Sequence, residues 1–339
     1  MIAAADSPVA REITYFCGPV SLALTFEDSS LQQALHGLLS QYDAPWPESR
    51  LSICATVTSR NAPVECPPNA GAFLALTRLK VDREGARLVS YGNLGSLMEY
   101  DMAAGEARFS VPENPDWPLL VEEVEQHFIL LLARAWSQLG WTPMHGGTLI
   151  MPGSSRCVLL CAPSGVGKTT LTAAMLRRGW RTLGDDKTLL RKEGNTVVAR
   201  SLAHRFHLHP NSSRWFPEAG DITQWPTYSR WTDKRVVRIE KLWPDCLAEH
   251  AIPGAVVQLL RDETGPALSV QPLDRIATLN TLLLQVAIPS DAEHARPLFS
   301  CVASLAANIR GAVFRIGNDA FADPKTAERI EAEFKKLLA

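Results

Sequence analysis

The feature that most restricts the fold of this chain is a short apolar run that breaks into a glycine-rich turn and then into a helix. Cys157-Val158-Leu159-Leu160-Cys161 is too short for a helix and apolar at every position, which predicts a strand buried on both faces. Ala162-Pro163-Ser164-Gly165-Val166-Gly167-Lys168-Thr169-Thr170 follows, and beyond it Leu171, Ala174, Met175 and Arg178 recur at helical spacing until Gly179 stops the helix. Strand, glycine loop, Lys-Thr and helix in that order are the layout of a phosphate-binding loop, or P-loop. In such a loop successive backbone N–H groups point inward and the helix N-terminus adds positive potential. Lys168 then reaches the terminal phosphates of a nucleotide, and Thr169 offers its hydroxyl to a magnesium ion. An ordinary glycine-rich turn would leave the Lys168-Thr169 pair without a purpose. Ala162 stands where the pattern opens with glycine; alanine strains the turn if that residue has positive φ and is harmless in extended geometry.

With 339 residues the chain has room for two domains. Pro112 to Pro118 is turn-rich and predicts the boundary, giving a small α+β domain over 1–117 and a P-loop domain over 118–339. In the first, one or two short strands over 13–26, broken by Gly18-Pro19, precede a helix that Asp28 and Ser30 can cap, with Leu31, Ala34, Leu35, Leu38, Leu39 and Tyr42 on one face. Alternation then predicts a strand from Leu51 to Thr58, and pieces at Phe73 to Val81, Arg87 to Tyr91, Gly95 to Tyr100 and Ala107 to Val111 joined as hairpins. The expectation is a small antiparallel sheet with a helix, without a catalytic motif; its role is left open, with substrate or partner recognition as one reading.

The second domain opens with a helix from Leu119 to Leu139, in which Glu122, Glu123 and Glu125 favour the N-terminal end. A strand to Met151 and the turn Pro152-Gly153-Ser154-Ser155 lead into the buried strand, so short a link that the two must be antiparallel partners. The sheet is therefore expected to be mixed, and the fold class α/β. Trp180 to Leu183 predicts a short strand, Glu193-Gly194-Asn195 a hairpin turn, and residues 201–245 an irregular region rich in His, Arg and Trp. Strands at 255–260, 268–270 and 312–316 and helices at 275–286, 297–309 and 324–338 complete it.

Chemistry beyond nucleotide binding depends on acids. Asp185 and Asp186 follow the loop lysine after one helix and one short strand, which returns the chain to the sheet edge where the loop sits. One carboxylate there can hold magnesium and the other can take the proton from an attacking hydroxyl, since phosphoryl transfer needs mainly positioning, charge neutralisation and a proton acceptor. The plain alternative is a solvated Asp-Asp turn that caps a helix.

His145-Gly146, the loop Pro163 to Thr169, the Arg178-Gly179 helix end and the Asp185-Asp186 pair, in that order and spacing, resemble the HPr kinase/phosphorylase family and its HPr-kinase-related relatives. The resemblance covers roughly residues 119 to 320 and is specific from 145 to 187. It implies a nucleotide-binding core related to that of phosphoenolpyruvate carboxykinase, with ATP and Mg2+ as cofactors. It also implies Asp186 as proton acceptor for a substrate serine, His145 and Lys168 as active-site residues, and Thr169 as a magnesium ligand, with Asp185 taken as the second. The family's Leu-Glu-Ile-Arg-Gly signature, which carries a further magnesium glutamate, is absent here, and the segment around His204 to Pro210 stands in its place. HPr as substrate and the phosphorylase activity are therefore not carried over; relatives without that signature include kinases of modified-peptide biosynthesis, whose acceptor is a peptide hydroxyl.

His204, His207 and His209 lack a neighbouring cysteine or carboxylate to complete a metal set, and read as packing or substrate contacts. Arg230, Lys234, Arg235 and Arg238 read equally as a clamp on transferred phosphate and as a solvated surface, and Trp215, Trp225, Trp231 and Trp243 as packing. The net charge of −2 gives no bulk attraction to nucleic acid. Seven cysteines without a CxxC pair argue for reduced thiols. No apolar run reaches the roughly 20 residues of a membrane span, and the N-terminus lacks a signal-peptide layout, so the expected location is cytoplasmic with no membrane partner. The leading expectation is an ATP-dependent serine kinase acting on a peptide or small protein, with residues 201–245 on the acceptor side. A small-molecule kinase and a nucleotide-binding regulatory module are the alternatives, and the oligomeric state is open.

Overall fold

The structure is a computed structural model that describes residues 11–27, 29–42, 44, 46–47, 49–71, 74–75, 78–113, 117–163, 165–229, 232–262, 264–286, 292–317 and 324–339. The chain forms two compact units, Met1–Tyr42 with Trp46–Leu139, and Asp43–Pro45 with Gly140–Ala339.

In the first unit β1 (Arg11–Cys17) and β2 (Val20–Phe26) are two strands, paired as a hairpin around Gly18-Pro19. α1 (Ser29–Leu39) then carries the chain over to β3 (Leu51–Arg60). A helical crossover returns the chain in its original direction, so β3 pairs with β2 in parallel. β4 (Leu74–Ala75), β5 (Leu79–Glu84), β6 (Arg87–Gly92), β7 (Leu97–Asp101) and β8 (Glu106–Pro112) form an antiparallel meander, and β8 closes on β3, again in parallel. The sheet is thus eight-stranded and mixed, in the order β1-β2-β3-β8-β7-β6-β5-β4, not a small antiparallel one. Asp28 and Phe73 lie outside the described residues.

α2 (Trp117–Gln138) belongs to this unit, which therefore runs to Leu139, past the division expected at residue 117. Pro112 ends β8, and Pro118 stands in the first turn of the helix. The helix buries Val124, Phe128, Leu131 and Ala135, Phe128 stacks on Phe109 of β8 at 4.2 Å, and Trp136 Nε1 donates to Cys17 O at 2.9 Å. Glu123, expected to serve the helix dipole, is instead buried and accepts from the Leu94 and Ser96 N–H groups at 2.8 and 3.3 Å. Gly92 is required opposite it, because a Cβ there would lie 1.9 Å from the carboxylate. His127 sits between the hydroxyls of Ser90 and Ser96, and burial pushes its pKa down to about 3, so the imidazole is neutral.

The second unit is built from β9 (Thr142–His145), β10 (Gly147–Ile150), β11 (Arg156–Cys161), α3 (Lys168–Leu176), β12 (Lys187–Glu193) and β13 (Thr196–Ser201). β14 (Arg205–Leu208), β15 (Thr227–Ser229) and β16 (Thr232–Arg238) follow, then β17 (His250–Arg261), β18 (Leu268–Leu273), α4 (Arg275–Leu283), α5 (Ala292–Asn308), β19 (Arg310–Ile316) and α6 (Pro324–Leu338). The main sheet runs β10-β11-β17-β13-β12-β9, with β19 beside β17 and β18 beside β19. β10 pairs antiparallel with β11 as expected, while β17 is parallel to both β11 and β19. β11 is buried on both faces: Cys157, Leu159 and Cys161 pack toward Leu298, Val302 and Leu305 of α5, and Val158 and Leu160 toward Leu171 and Met175 of α3 and Phe334 of α6. That double burial is why its sequence has no polar alternation.

Three expectations change. Trp180 to Leu183 forms no strand, only isolated bridges from Arg181 to Ile150 and from Thr182 to Leu247. Residues 201–245 are not irregular: β14, β16 and β15 form a sheet, and short 3-10 turns at Pro210–Arg214, Pro217–Ala219, Ile222–Gln224 and Ile239–Lys241 close over a core that includes Phe206, Leu208, Phe216, Ile222 and Val237. α4 stops at Leu283 instead of Val286, because Gln285 O accepts from His145 N at 2.7 Å and Val286 bridges Met144. Among the described residues no helix is long and apolar enough to cross a membrane.

Candidate functional site

Three local structures bring the predicted residues together in the second unit. The first is the turn from β11 into α3. Gly165 and Gly167 have φ of 82° and 113°, with open space where a Cβ would stand, and no side chain among the described residues caps α3 at Gly167. The helix thus begins on a turn whose backbone bends in a way only glycine adopts without strain. Ala162 is not among the positive-φ residues; it is 2% exposed and packs with Val158, Leu160 and Leu171. The possible weak point of the loop is therefore a core position. Ala162→Gly is expected to cost about 1–2 kcal/mol through the lost buried methyl and the looser unfolded chain, measured by denaturant midpoint. Val166 packs against the same apolar cluster, and Ser164 lies outside the described residues.

The second structure is the segment Thr182 to Asp186, which runs back along β10. Gly146 N donates to Asp186 O at 2.9 Å, and Thr148 N to Gly184 O at 3.0 Å. Gly184, at φ 148°, turns the chain where a Cβ would lie 2.5 Å from Ala203 O. The third is β9, whose last residue, His145, pairs across from Lys187 of β12.

Their side chains meet. Thr169 Oγ1 donates to Asp185 Oδ2 at 2.7 Å, and His145 Nδ1 lies 3.2 Å from Asp186 Oδ1. Lys168 is buried, with Nζ 2.7 Å from Ala162 O and 3.4 Å from His145 Nε2. Burial lowers the His145 pKa, with Lys168 also lowering it and Asp186 opposing, so the imidazole is neutral at pH 7. Its partners then fix the tautomer: Nδ1–H donates to Asp186, and Nε2 accepts from Lys168. Burial likewise pushes the Lys168 ammonium down, against the pull of Asp186 and Asp185.

The two carboxylates differ. Asp185 is only 4% exposed, and burial, then Asp186, raise its pKa against the Thr169 hydrogen bond. Asp186 keeps 34% of its side chain exposed; burial raises its pKa too, but Lys187, His145, Lys168 and His207 outweigh that and hold it below the usual range. Asp186 is thus the ionised, reachable acid, and Asp185 the inner one.

One neighbour, Lys187, was not singled out by sequence. Lys187 Nζ lies 3.8 Å from Asp186 Oδ2. His207, pushed down to about 4 by burial, feels Lys187, Asp186, Lys234 and Arg205. Phe206 and Leu208 face the core of their small sheet, which leaves Arg205 and His207 on its other face. Of the basic residues considered for a phosphate clamp, Lys234 acts on His145 and Lys168, whereas Arg235 donates to Thr227 Oγ1 at 2.6 Å and Arg238 pairs with Glu240. Arg230 and Trp231 lie outside the described residues. Trp215 stacks under Arg214, Trp225 faces Lys241 and Trp243 meets Phe216 edge-on, all packing contacts. No group of three or more His, Cys, Asp or Glu suited to a metal occurs among the described residues.

No family model matches this chain, and no curated protein matches it. Among solved structures it is similar to the Hpr(Ser) kinase/phosphatase from Coxiella burnetii, at 13% identity and a TM-score of 0.32, over 57% of this chain and 98% of that one. A superposition of that quality leaves the functional question to the residues themselves.

Proposed function

We propose that the second unit is an ATP- and magnesium-dependent kinase that phosphorylates a hydroxyl, that of a serine or threonine in a peptide or small protein. One observation carries this reading: a buried lysine, a hydroxyl bonded to an inner carboxylate, and an exposed carboxylate held by a histidine converge from three segments at the end of one buried strand. The residue order is also the one that resembles the HPr kinase/phosphorylase family.

The donor set fits the groups the reading needs. Glycines at positive φ with open space beside them suit the close approach of phosphate to backbone N–H groups. Thr169 and Asp185, a hydroxyl and a carboxylate 2.7 Å apart, are the hard oxygen donors magnesium takes, and that ion needs only one or two protein oxygens beside phosphate and water. When bound, magnesium would neutralise charge on the phosphates. Lys168 supplies the fixed cation at the far end of the loop. Asp186 accepts the proton of the acceptor hydroxyl as its oxygen attacks the γ-phosphorus and the bond to the β-phosphate oxygen breaks. His145 keeps that carboxylate turned toward the acceptor by donating to Oδ1, which leaves Oδ2 for the incoming proton.

Mass spectrometry of serine- and threonine-bearing peptides, sugars and amino acids incubated with ATP and magnesium tests the reading. A phosphopeptide is the expected product. Phosphorylation confined to free small molecules would overturn the peptide acceptor, and nucleotide binding with no ADP formed from any acceptor would leave a binding module.

A further inference from the structure

The Asp185–Asp186 pair is carried by a segment that three buried hydroxyls tie to its neighbours, in addition to its backbone bonds to β10. Thr148, Thr182 and Ser201 are 0%, 0% and 2% exposed. Thr182 Oγ1 donates to Thr148 O at 2.7 Å and accepts from Gly184 N at 2.9 Å. Thr148 Oγ1 accepts from Leu183 N at 2.8 Å, and the Ser201 hydroxyl donates to Leu183 O from the opposite side. The side chains thus take up backbone groups of Leu183 and Gly184 that a strand would have paired, and they do so at the residues directly before the two acids. Gly184 is at φ 148°, so the turn depends on a conformation with few alternatives. A buried N–H that loses its acceptor does not stay in place; the chain moves to recover a partner.

We propose that Thr182, with Thr148 beside it, is the positioning residue of the Asp185–Asp186 pair: its hydroxyl fixes the bend at Gly184 and so sets where both carboxylates stand relative to Thr169 and His145. The inference rests on the kinase reading for its consequence in catalysis, but not for its geometry. Thr148 and Thr182 touch neither nucleotide nor acceptor in that reading; they act through the acids. Valine has the shape of threonine without the hydroxyl, and serine has the hydroxyl without the methyl, so the two substitutions separate hydrogen bonding from packing.

The test compares the full-length chain with Thr182→Val and Thr182→Ser by amide hydrogen exchange in the absence of nucleotide, and by steady-state kinetics. Thr182→Val is expected to speed exchange at least tenfold from Leu183 through Asp186, with α3 amides unchanged. It is also expected to lower kcat by about 10- to 100-fold at an unchanged KM for ATP, the usual effect of a carboxylate misplaced by about an ångström. Thr182→Ser should restore both. Faster exchange spread evenly through β10 and β11 with an unchanged kcat would mark a packing role only and overturn the inference, as would wild-type exchange at Asp185 and Asp186 in Thr182→Val. If Thr182→Val does not fold, Thr148→Val, which removes the acceptor of the Leu183 N–H and a 3.4 Å contact with Thr182 Oγ1, decides the same question. A wild-type chain that turns over no ATP would sink the kinase reading, while the exchange pattern would still decide the positioning role.

Discussion

Asp186→Asn is expected to lower phosphoryl transfer by about 10²- to 10⁴-fold, the range by which a positioned general base contributes, while ATP affinity stays within about threefold of wild type, a difference below roughly 0.7 kcal/mol. The substitution keeps the shape of the side chain and its distance from His145 Nδ1, 3.2 Å in the wild type. It removes the ability to take a proton and leaves the Thr169 bond to Asp185 in place. Lys187, His145 and Lys168 hold the Asp186 carboxylate below its usual range, so its charge contributes stability at pH 7 that asparagine lacks, and the variant should be modestly less stable. Single-turnover measurement with a phosphorylatable peptide, alongside nucleotide titration calorimetry, reads the two effects separately. An Asp186→Asn enzyme with wild-type kcat would remove the proposed base from the mechanism.

Lys168→Ala is expected to act on the other half of the reaction, lowering both nucleotide affinity and turnover, with a loss of about 10²- to 10³-fold in kcat/KM, as for removal of one preorganised charge from a transition state. Its stability effect should have the opposite sign. Burial disfavours the ammonium, lowering its pKa in the fold, so the charged lysine is held in place at a cost that the alanine variant does not carry. The nucleotide-free variant should therefore melt at or above the wild-type temperature at pH 7. Thermal denaturation with and without ATP and magnesium checks this: the wild type should gain stability from the ligand by mass action and the variant should gain almost none. A variant that loses stability without ligand would place Lys168 among the supports of the turn instead.

The two substitutions also divide the site according to how it can be read. Lys168 and Thr169 announce themselves, because a strand, a glycine turn and a helix start are contiguous and their pattern is local. The same holds for the hairpins of β1 with β2, β10 with β11 and β12 with β13, where a short turn leaves the chain one way to return. Asp186 and His145 were found through their order along the chain and a family resemblance. Lys187 carried no mark, and His207 and Lys234 none that tied them to Asp186: a lysine or histidine in a strand says nothing about which acid it will face until β9, β12, β14 and β16 are placed together.

By itself the amino-acid sequence determined the local pieces of this protein: the doubly buried strand, the turn at Gly165 and Gly167, and the antiparallel hairpins. These follow from side-chain periodicity and backbone freedom over a dozen residues or fewer. Only the tertiary structure decided that β2, β3 and β8 run parallel, that α2 belongs with the first sheet, that residues 201–245 enclose a core, and that Ala162 is a packing residue free of strain. Each of those depends on which distant segment lies alongside, and the pairing of distant segments is set by the burial they achieve together, a quantity no short stretch of sequence contains.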